Sequence, residues 1–155
     1  MFYYVMQSPI GELLLSSDGE FLRRLSFFPF ELPLEGRKEI PLFKQAHQQL
    51  EAYFAGELRS FDLPIYLEGS AFQRKVWGEL IKIPYGTTIS YKQLAERVGD
   101  IKAIRAVGKA NGQNPLPIIV PCHRVVGSNG NLIGYGGGVE KKLFLLKLEN
   151  SLLFV

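Results

Sequence analysis

Two short helices joined by a tight turn constrain the fold of this chain more than any other sequence feature. Ser90-Tyr91-Lys92-Gln93 is a capping box, in which Ser90 and Gln93 satisfy the first free amides of a helix of about eight residues. Gly99 ends that helix, and Asp100 can cap the next one immediately. The second helix carries small apolar residues at helical spacing, which predicts an inward-facing stripe of Ala103, Ala106, Val107 and Ala110. This pattern predicts a helix-turn-helix.

The opposite face of the second helix is basic. Lys102, Arg105 and Lys109 are spaced i, i+3 and i+7, so they share one side of the helix. Residues 70–155 contain 12 Lys and Arg against 5 Asp and Glu, a balance of +7, whereas residues 1–69 contain 6 against 10, a balance of −4. This asymmetry favours nucleic acid as the partner of the second half, with a merely solvated basic face as the alternative.

The first part of the chain predicts a small α/β domain. Its β-type runs lie at 2–6, 12–16 and 21–28. Asp18-Gly19 between two of them is a hairpin signal, and helical spacing of apolar residues follows Pro41 until Gly56. A second capping box at Ser70 opens the next helix, so we predict one domain at 1–69 and another at 70–155.

A single cysteine stands beside one of the two histidines, in Pro121-Cys122-His123-Arg124. A thiolate is a strong nucleophile, but a thiol with a pKa of about 8.5 needs a base or a positive charge nearby to form one. The alternative from the residues alone is a buried cysteine that packs as a small apolar side chain. One cysteine excludes an intrachain disulfide and a multi-cysteine zinc site, so we expect no metal site. We also expect no cofactor.

The chain has neither the basic start of a signal peptide nor an apolar run of the roughly 20 residues that cross a bilayer. We therefore expect a cytoplasmic protein without membrane contact. As a separate expectation, we take the protein to be a monomer. A final amphipathic helix is predicted at 140–150, with leucines among Lys141, Lys142 and Lys147.

Residues 70–150 resemble the O6-alkylguanine-DNA alkyltransferases. The resemblance is carried by 114–115, 117–127, 134–138 and 145–149, and upstream by 90–95 and 105–110. It implies an N-terminal RNase H-like α/β domain and a mainly helical C-terminal domain with a helix-turn-helix, which is winged-helix-like.

The resemblance also implies a chemistry. Cys122 would take the alkyl group from O6 of guanine, with one turnover per molecule, and O4-alkylthymine would be a further target. Because neighbouring side chains in extended chain point apart, His123 would reach the thiol only through water, oriented by Glu149. Tyr91 would donate a proton to guanine N3, and Asn114 would help to set the geometry of the site.

The DNA contacts implied by the resemblance lie in the minor groove of a duplex from which the alkylated nucleotide is flipped out. Arg105 would enter the stack in place of the base. The other predicted DNA-binding residues are Tyr91, Lys102, Ala106, Lys109, Arg124 and Ser128. The predicted base pocket consists of Val125, Tyr135, Gly136 and Gly137, where Gly136 replaces a serine of some family members.

Two other functions are compatible with parts of the pattern. A cysteine hydrolase using Cys122 and His123 would turn over, and it would need its histidine and an oxyanion site placed apart in sequence. A non-catalytic helix-turn-helix protein that recognises lesions would keep its DNA binding after Cys122→Ala and form no covalent product.

Overall fold

The computed structural model describes residues 1–130, 132, 135 and 137–150. The chain divides into two compact units, Met1–Glu68 and a second unit that begins at Gly69. Each unit has its own secondary structure and its own buried residues.

The first unit is a three-stranded antiparallel sheet with one long helix. The strands are β1 (Phe2–Met6), β2 (Leu13–Ser17) and β3 (Leu22–Phe27), in the order β1-β2-β3, and the helix is α1 (Pro41–Phe54). The turn between β2 and β3 is held by Asp18, whose carboxylate accepts the amides of Glu20 and Phe21 at 2.8 Å each. The ring of Tyr4 on β1 stacks on Phe43 of α1, with centroids 5.5 Å apart. The predicted α/β character of this part is therefore confirmed.

The second unit is mainly helical. It contains α2 (Ala71–Ile81), β4 (Ile89–Ser90), α3 (Tyr91–Val98), α4 (Ile104–Gly112), β5 (Val125–Val126) and α5 (Val139–Leu148), with 3₁₀ turns at Ile101–Ala103 and Cys122–Arg124. Both predicted capping boxes are present, at Ser70 and at Ser90. Gly99 adopts φ +104°, the left-handed conformation that lets glycine end α3 within one residue.

The start of the second helix of the pair differs from the prediction. Asp100 caps a 3₁₀ turn rather than the helix itself, and α4 begins only at Ile104. Val107, Ala110 and Asn111 form its buried face, whereas Ala106 is exposed. The inward position predicted for Ala106 is wrong, because Asn111 completes a buried face centred near Val107, and Ala106 lies about 90° from that centre around the helix.

A short parallel pairing joins two distant parts of the second unit. Strand β4 pairs with β5 through Ile89 with Val125 and Ser90 with Val126. Because α3 begins directly after β4 and the cysteine turn ends directly before β5, this pairing brings Tyr91 and Cys122 to one region of the fold.

Candidate active site and DNA-binding surface

Cys122 lies in a compact backbone turn rather than in extended chain. Pro121 has φ −80° and ψ 64°, and the Cys122 amide donates to the Val120 carbonyl at 2.8 Å across it, as in an inverse γ-turn. A 3₁₀ turn then runs from Cys122 to Arg124. The extended geometry assumed for Cys122 and His123 is therefore wrong, because the proline-fixed turn leads directly into a helical one.

Asn114 shapes the segment that leads to the cysteine. Its Nδ2 donates to the Val120 carbonyl at 2.8 Å, and its Oδ1 accepts the Leu116 amide at 2.9 Å. Between these anchors Ile118 adopts φ +76°, a conformation that a β-branched residue takes only where its surroundings impose it. Asn114 therefore holds a strained loop in the shape that presents Cys122.

The thiol of Cys122 is buried, with 4% of the residue exposed. Burial raises the pKa of Cys122 to about 11, while the Asn114 side chain and the positive charge of Lys142 act in the opposite direction. At neutral pH the side chain is consequently a protonated thiol, with roughly one thiolate in 10⁴ molecules. Chemistry at this sulfur needs a group that accepts its proton.

His123 and Glu149 form a fully buried pair. The Nε2 atom of His123 lies 2.8 Å from Oε2 of Glu149, which follows the last residue of α5. Burial lowers the pKa of His123, against the pull of the Glu149 carboxylate. Since a carboxylate only accepts, neutral His123 carries its proton on Nε2 and keeps a lone pair on Nδ1. Within the described residues Nδ1 has no hydrogen-bond partner.

The Arg124 side chain points into the protein interior, which is not the position expected of a residue that contacts DNA. Its Nε donates to Glu149 Oε1 at 2.8 Å, Nη2 to Oε2 at 3.0 Å, and Nη1 to the Ile83 carbonyl at 2.7 Å. The residue is only 6% exposed. A guanidinium engaged in this way fixes Glu149 and leaves no face for a phosphate.

Tyr91, the first residue of α3, lies near Cys122. Burial raises the pKa of Tyr91, a negative charge at Cys122 raises it further, and a hydrogen bond from the Asn111 side chain lowers it. Asn111, on α4, also donates to the Cys122 carbonyl at 3.4 Å and is 1% exposed. Asn111 was not among the residues predicted from the sequence, although its spacing of four from Val107 puts it on the buried face.

Lys142 is the other residue that the sequence analysis missed. Its side chain is fully buried, and Nζ lies 5.8 Å from the centroid of the Tyr91 ring. Burial lowers the pKa of Lys142 to about 8, and a negative charge at Cys122 opposes that shift. The sequence contains a signal for the burial of Lys142, because Leu145 and Leu146, which are buried, follow it at i+3 and i+4 on the same face of the helix.

The outer face of α4 and the preceding turn collect the basic side chains predicted to bind DNA. Arg105, Lys102 and Lys109 are exposed there, together with Ala106. Ser128, the remaining predicted contact, is also exposed but lies in the loop after β5. The basic face of the helix-turn-helix thus exists as a solvent-accessible surface.

The predicted base pocket is only partly described. Val125 is buried in β5, Tyr135 is 8% exposed and Gly137 is half-buried. Gly136 lies outside the described residues. Among the described residues, no three His, Cys, Asp or Glu side chains cluster in a way that could hold a metal ion.

Two family models account for nearly the whole chain. The DNA-binding domain of 6-O-methylguanine DNA methyltransferase matches residues 71–151, and its ribonuclease-like domain matches residues 1–67. The chain belongs to the 6-O-methylguanine DNA methyltransferase family. The cysteine turn and the helix-turn-helix both fall within the DNA-binding domain of that family.

Family members from distant organisms are similar to this chain along its length. A methylated-DNA–protein-cysteine methyltransferase of Methanosarcina acetivorans is 50% identical over 155 residues, covering 97% of this chain and 99% of its own. One from Mycobacterium leprae is 51% identical over 147 residues, covering 93% and 89%. A crystal structure of Mycobacterium tuberculosis OGT in complex with DNA has a TM-score of 0.90 and 47% identity, covering 97% of this chain and 94% of that one.

The helices formed by the described residues are all too short or too polar to serve as membrane spans.

Proposed function

We propose that this protein is a methylated-DNA–protein-cysteine methyltransferase, which repairs DNA by moving the alkyl group of O6-alkylguanine onto Cys122. The observation that carries the proposal is the buried arrangement of Cys122, His123 and Glu149. His123, the proton acceptor, is oriented by a 2.8 Å contact with Glu149. A nucleophile, a base and an orienting third group are what covalent catalysis requires. The family match and the DNA complex of a 47% identical relative support DNA as the partner.

The transfer is a displacement at carbon. Sγ of Cys122 attacks the alkyl carbon while the bond from that carbon to guanine O6 breaks, and the electron pair stays with the base. The thiol proton passes through water to Nδ1 of His123, the atom that has a lone pair and no partner within the described residues. A thiol with a pKa of about 11 makes this proton acceptor necessary at neutral pH.

The leaving guanine needs a proton or a nearby positive charge as it acquires negative charge. Tyr91 can donate its hydroxyl proton to N3, and buried Lys142 beside the Tyr91 ring keeps the region electropositive. Asn114 holds the loop that presents the sulfur. With Val125, Tyr135, Gly136 and Gly137, the cysteine turn would line the base pocket.

Each protein molecule carries out the transfer only once. The product is a thioether, which has no carbonyl that water could attack, and the chain has no second cysteine to accept the alkyl group. The same chemistry applies to O4-alkylthymine, in which the alkyl group is also bonded to an exocyclic oxygen.

DNA binding belongs to residues 70–155 in this proposal, and 1–69 form a separate small domain. The exposed basic face of α4 enters the minor groove, where Lys102, Lys109 and Ser128 contact the backbone. Arg105 fills the space left by the flipped nucleotide, whose extraction costs a few kcal/mol. Contacts of this kind carry little sequence information. We place the protein in the cytoplasm, where reducing conditions protect a single reactive thiol.

The test is to mix the protein with a duplex that contains one O6-methylguanine and to analyse the peptide spanning Cys122 by mass spectrometry. We expect one methyl increment on Cys122 and at most one mole of repaired guanine per mole of protein. Product in excess of protein would favour a hydrolase, and binding without any increment would favour a lesion-binding protein. Cys122→Ser controls for alkylation elsewhere.

A further inference from the structure

The turn between α2 and β4 packs against the residue that orients His123. Pro84 to Thr87 form a β-turn, which is closed by a hydrogen bond from the Thr87 amide to the Pro84 carbonyl at 3.2 Å. Gly86, the third residue of this turn, adopts φ +80° in the left-handed region. A Cβ atom added to Gly86 would lie 3.3 Å from the backbone carbonyl oxygen of Glu149. The turn and the end of α5 are therefore in direct contact.

The same segment of the chain also contacts the ion pair of Arg124. Nη1 of Arg124 donates to the Ile83 carbonyl at 2.7 Å, one residue before the turn. The guanidinium lies over the ring of Tyr85, with Cζ 5.6 Å from the ring centroid. The Tyr85 hydroxyl donates to the Leu148 carbonyl, in the last residue of α5, at 3.4 Å. Residues 83–86 thus contact Arg124 and the end of α5 at the same time.

The ring of Tyr85 makes the stronger of its two contacts. The hydroxyl contact of 3.4 Å is longer than the roughly 2.7–2.8 Å that is usual between two oxygens. A guanidinium within about 6 Å of an aromatic centroid is attracted by the ring, and the attraction grows as water is removed. Arg124 is only 6% exposed, so little water competes with the ring for its charge.

We propose that Tyr85 is a positioning residue whose ring holds the Arg124 guanidinium against Glu149, so that the carboxylate keeps His123 oriented for proton transfer from Cys122. The inference deepens the proposed function and rests on it. Without the ring, the Arg124 side chain would have more freedom to move, and Glu149 would lose part of its support. The imidazole would then spend less time in the orientation that accepts the thiol proton.

The contact also affects the charge of His123. Burial lowers the pKa of His123, the Glu149 carboxylate raises it, and the positive charges of Arg124 and Lys142 lower it. A guanidinium that moves away from this group would lower the pKa of His123 less, so that pKa would rise. Because a protonated imidazole has no lone pair for the thiol proton, transfer would then be lost at a higher pH on the acid side.

The experiment compares Tyr85→Leu and Tyr85→Phe by the single-turnover rate constant of transfer, with an O6-methylguanine duplex and with a free benzylated base. Tyr85→Leu should slow transfer by about fivefold on both substrates, because the change acts on the proton acceptor and not on the DNA. It should also move the acid limb of the pH profile to higher pH. Tyr85→Phe keeps the ring and should stay within about twofold of wild type on both.

Three outcomes of this comparison would overturn the inference. The first is a Tyr85→Phe protein as slow as Tyr85→Leu, which would assign the effect to the hydroxyl. The second is a slowing confined to the duplex, which would assign it to DNA binding. The third is an acid limb that stays in place while the rate falls at every pH.

A matched variant and the reaction amplitude separate positioning from folding. Tyr66→Leu, in the first unit, also removes a tyrosine ring beside an arginine, since Cζ of Arg23 lies 4.3 Å from the Tyr66 centroid. This control should leave transfer unchanged. With each variant folded by circular dichroism at the assay temperature, the amplitude reports the competent fraction and the rate constant reports the chemistry. A lower amplitude at an unchanged rate constant would overturn the inference.

A double-mutant cycle tests whether Tyr85 acts through Glu149. In the Glu149→Gln background, where His123 has already lost its orienting carboxylate, Tyr85→Leu should change the rate by less than about twofold. Effects that multiply would overturn the inference alone. A wild type that leaves Cys122 unmodified under the same conditions would overturn the proposed function and this inference with it.

Discussion

Arg124 holds both carboxylate oxygens of Glu149, with Nε 2.8 Å from Oε1 and Nη2 3.0 Å from Oε2. The same Oε2 accepts the Nε2 proton of His123 at 2.8 Å. Because Glu149 and His123 are fully buried and Arg124 is nearly so, the carboxylate is shared between a guanidinium and an imidazole. The orientation of His123 is thus fixed by a residue that sequence reasoning assigned to DNA.

Arg124→Met should therefore reduce stability rather than DNA affinity. Removal of the guanidinium leaves the buried Glu149 charge largely uncompensated, which should lower the free energy of unfolding by about 3–5 kcal/mol. Urea unfolding measures the loss. Binding of a fluorescent duplex at low temperature, where the variant is folded, should stay within about twofold of wild type. Weaker DNA binding at unchanged stability would instead support a phosphate contact.

Glu149→Gln tests the orientation of His123 directly. An amide cannot accept from Arg124 and His123 as the carboxylate does, so the imidazole loses its fixed tautomer. Transfer to Cys122 should slow by about 10²-fold or more. Glu140→Gln, an exposed change in the first turn of α5, is the matched control. Equal rates for the two variants would exclude a positioning role for Glu149.

Reactivity of Cys122 toward iodoacetamide should depend on pH as that of a weakly acidic thiol does. With a pKa of about 11, the modification rate should rise by about tenfold for each pH unit from 7 to 10. In urea, where burial is lost, the rate should level off near pH 9. Mass spectrometry of the Cys122 peptide gives both profiles. A plateau near pH 9 in the folded protein would contradict the effect of burial.

Lys142→Met should slow the transfer reaction but increase the stability of the fold. Loss of the positive charge raises the pKa of the Cys122 thiol further, so transfer should slow at neutral pH. The pKa of Lys142 is about 8 in the folded protein, which is below its value in the unfolded chain. Below pH 8 the lysine is charged in both states, so the full cost of burying its charge lowers the free energy of unfolding. Relative to wild type, the variant should gain stability below pH 8, and the gain should shrink as pH rises toward about 10.5.

Denaturant unfolding at several pH values between 7 and 10 measures the stability difference for Lys142→Met. Exposed Lys147→Met on the same helix is the control, which should show neither the slower transfer nor the pH-dependent gain. A gain that grows with pH would have the wrong sign and would contradict the buried charge.

Arg105→Ala should slow repair of a duplex far more than transfer from a free benzylated base. The free base needs no extraction from a stack, so a residue that fills the vacated space matters only in the duplex. Parallel single-turnover measurements on the two substrates give the ratio. Equal losses on both would contradict the role proposed for Arg105.

Local patterns predicted much of the fold. The capping boxes at Ser70 and Ser90 and the glycine stop at Gly99 depend on contacts within a few residues, so they are readable from sequence. Two features of α4 were not predicted: a 3₁₀ turn at Ile101–Ala103 precedes it, and its buried face includes Asn111 and leaves Ala106 exposed. Which side of an amphipathic helix is covered depends on the elements packed against it, which the apolar spacing alone does not specify.

The sequence by itself determined that Cys122, next to His123, was the candidate nucleophile, and that one face of the helix-turn-helix was basic. Tertiary structure decided which charged residues are buried in the protein interior. Arg124 reaches across 25 positions to Glu149, and Lys142 is buried near Tyr91, whereas Lys147 on the same helix is exposed. The physical reason is that the free energy of burying a charge depends on partners and packing supplied by other elements, which no local spacing specifies.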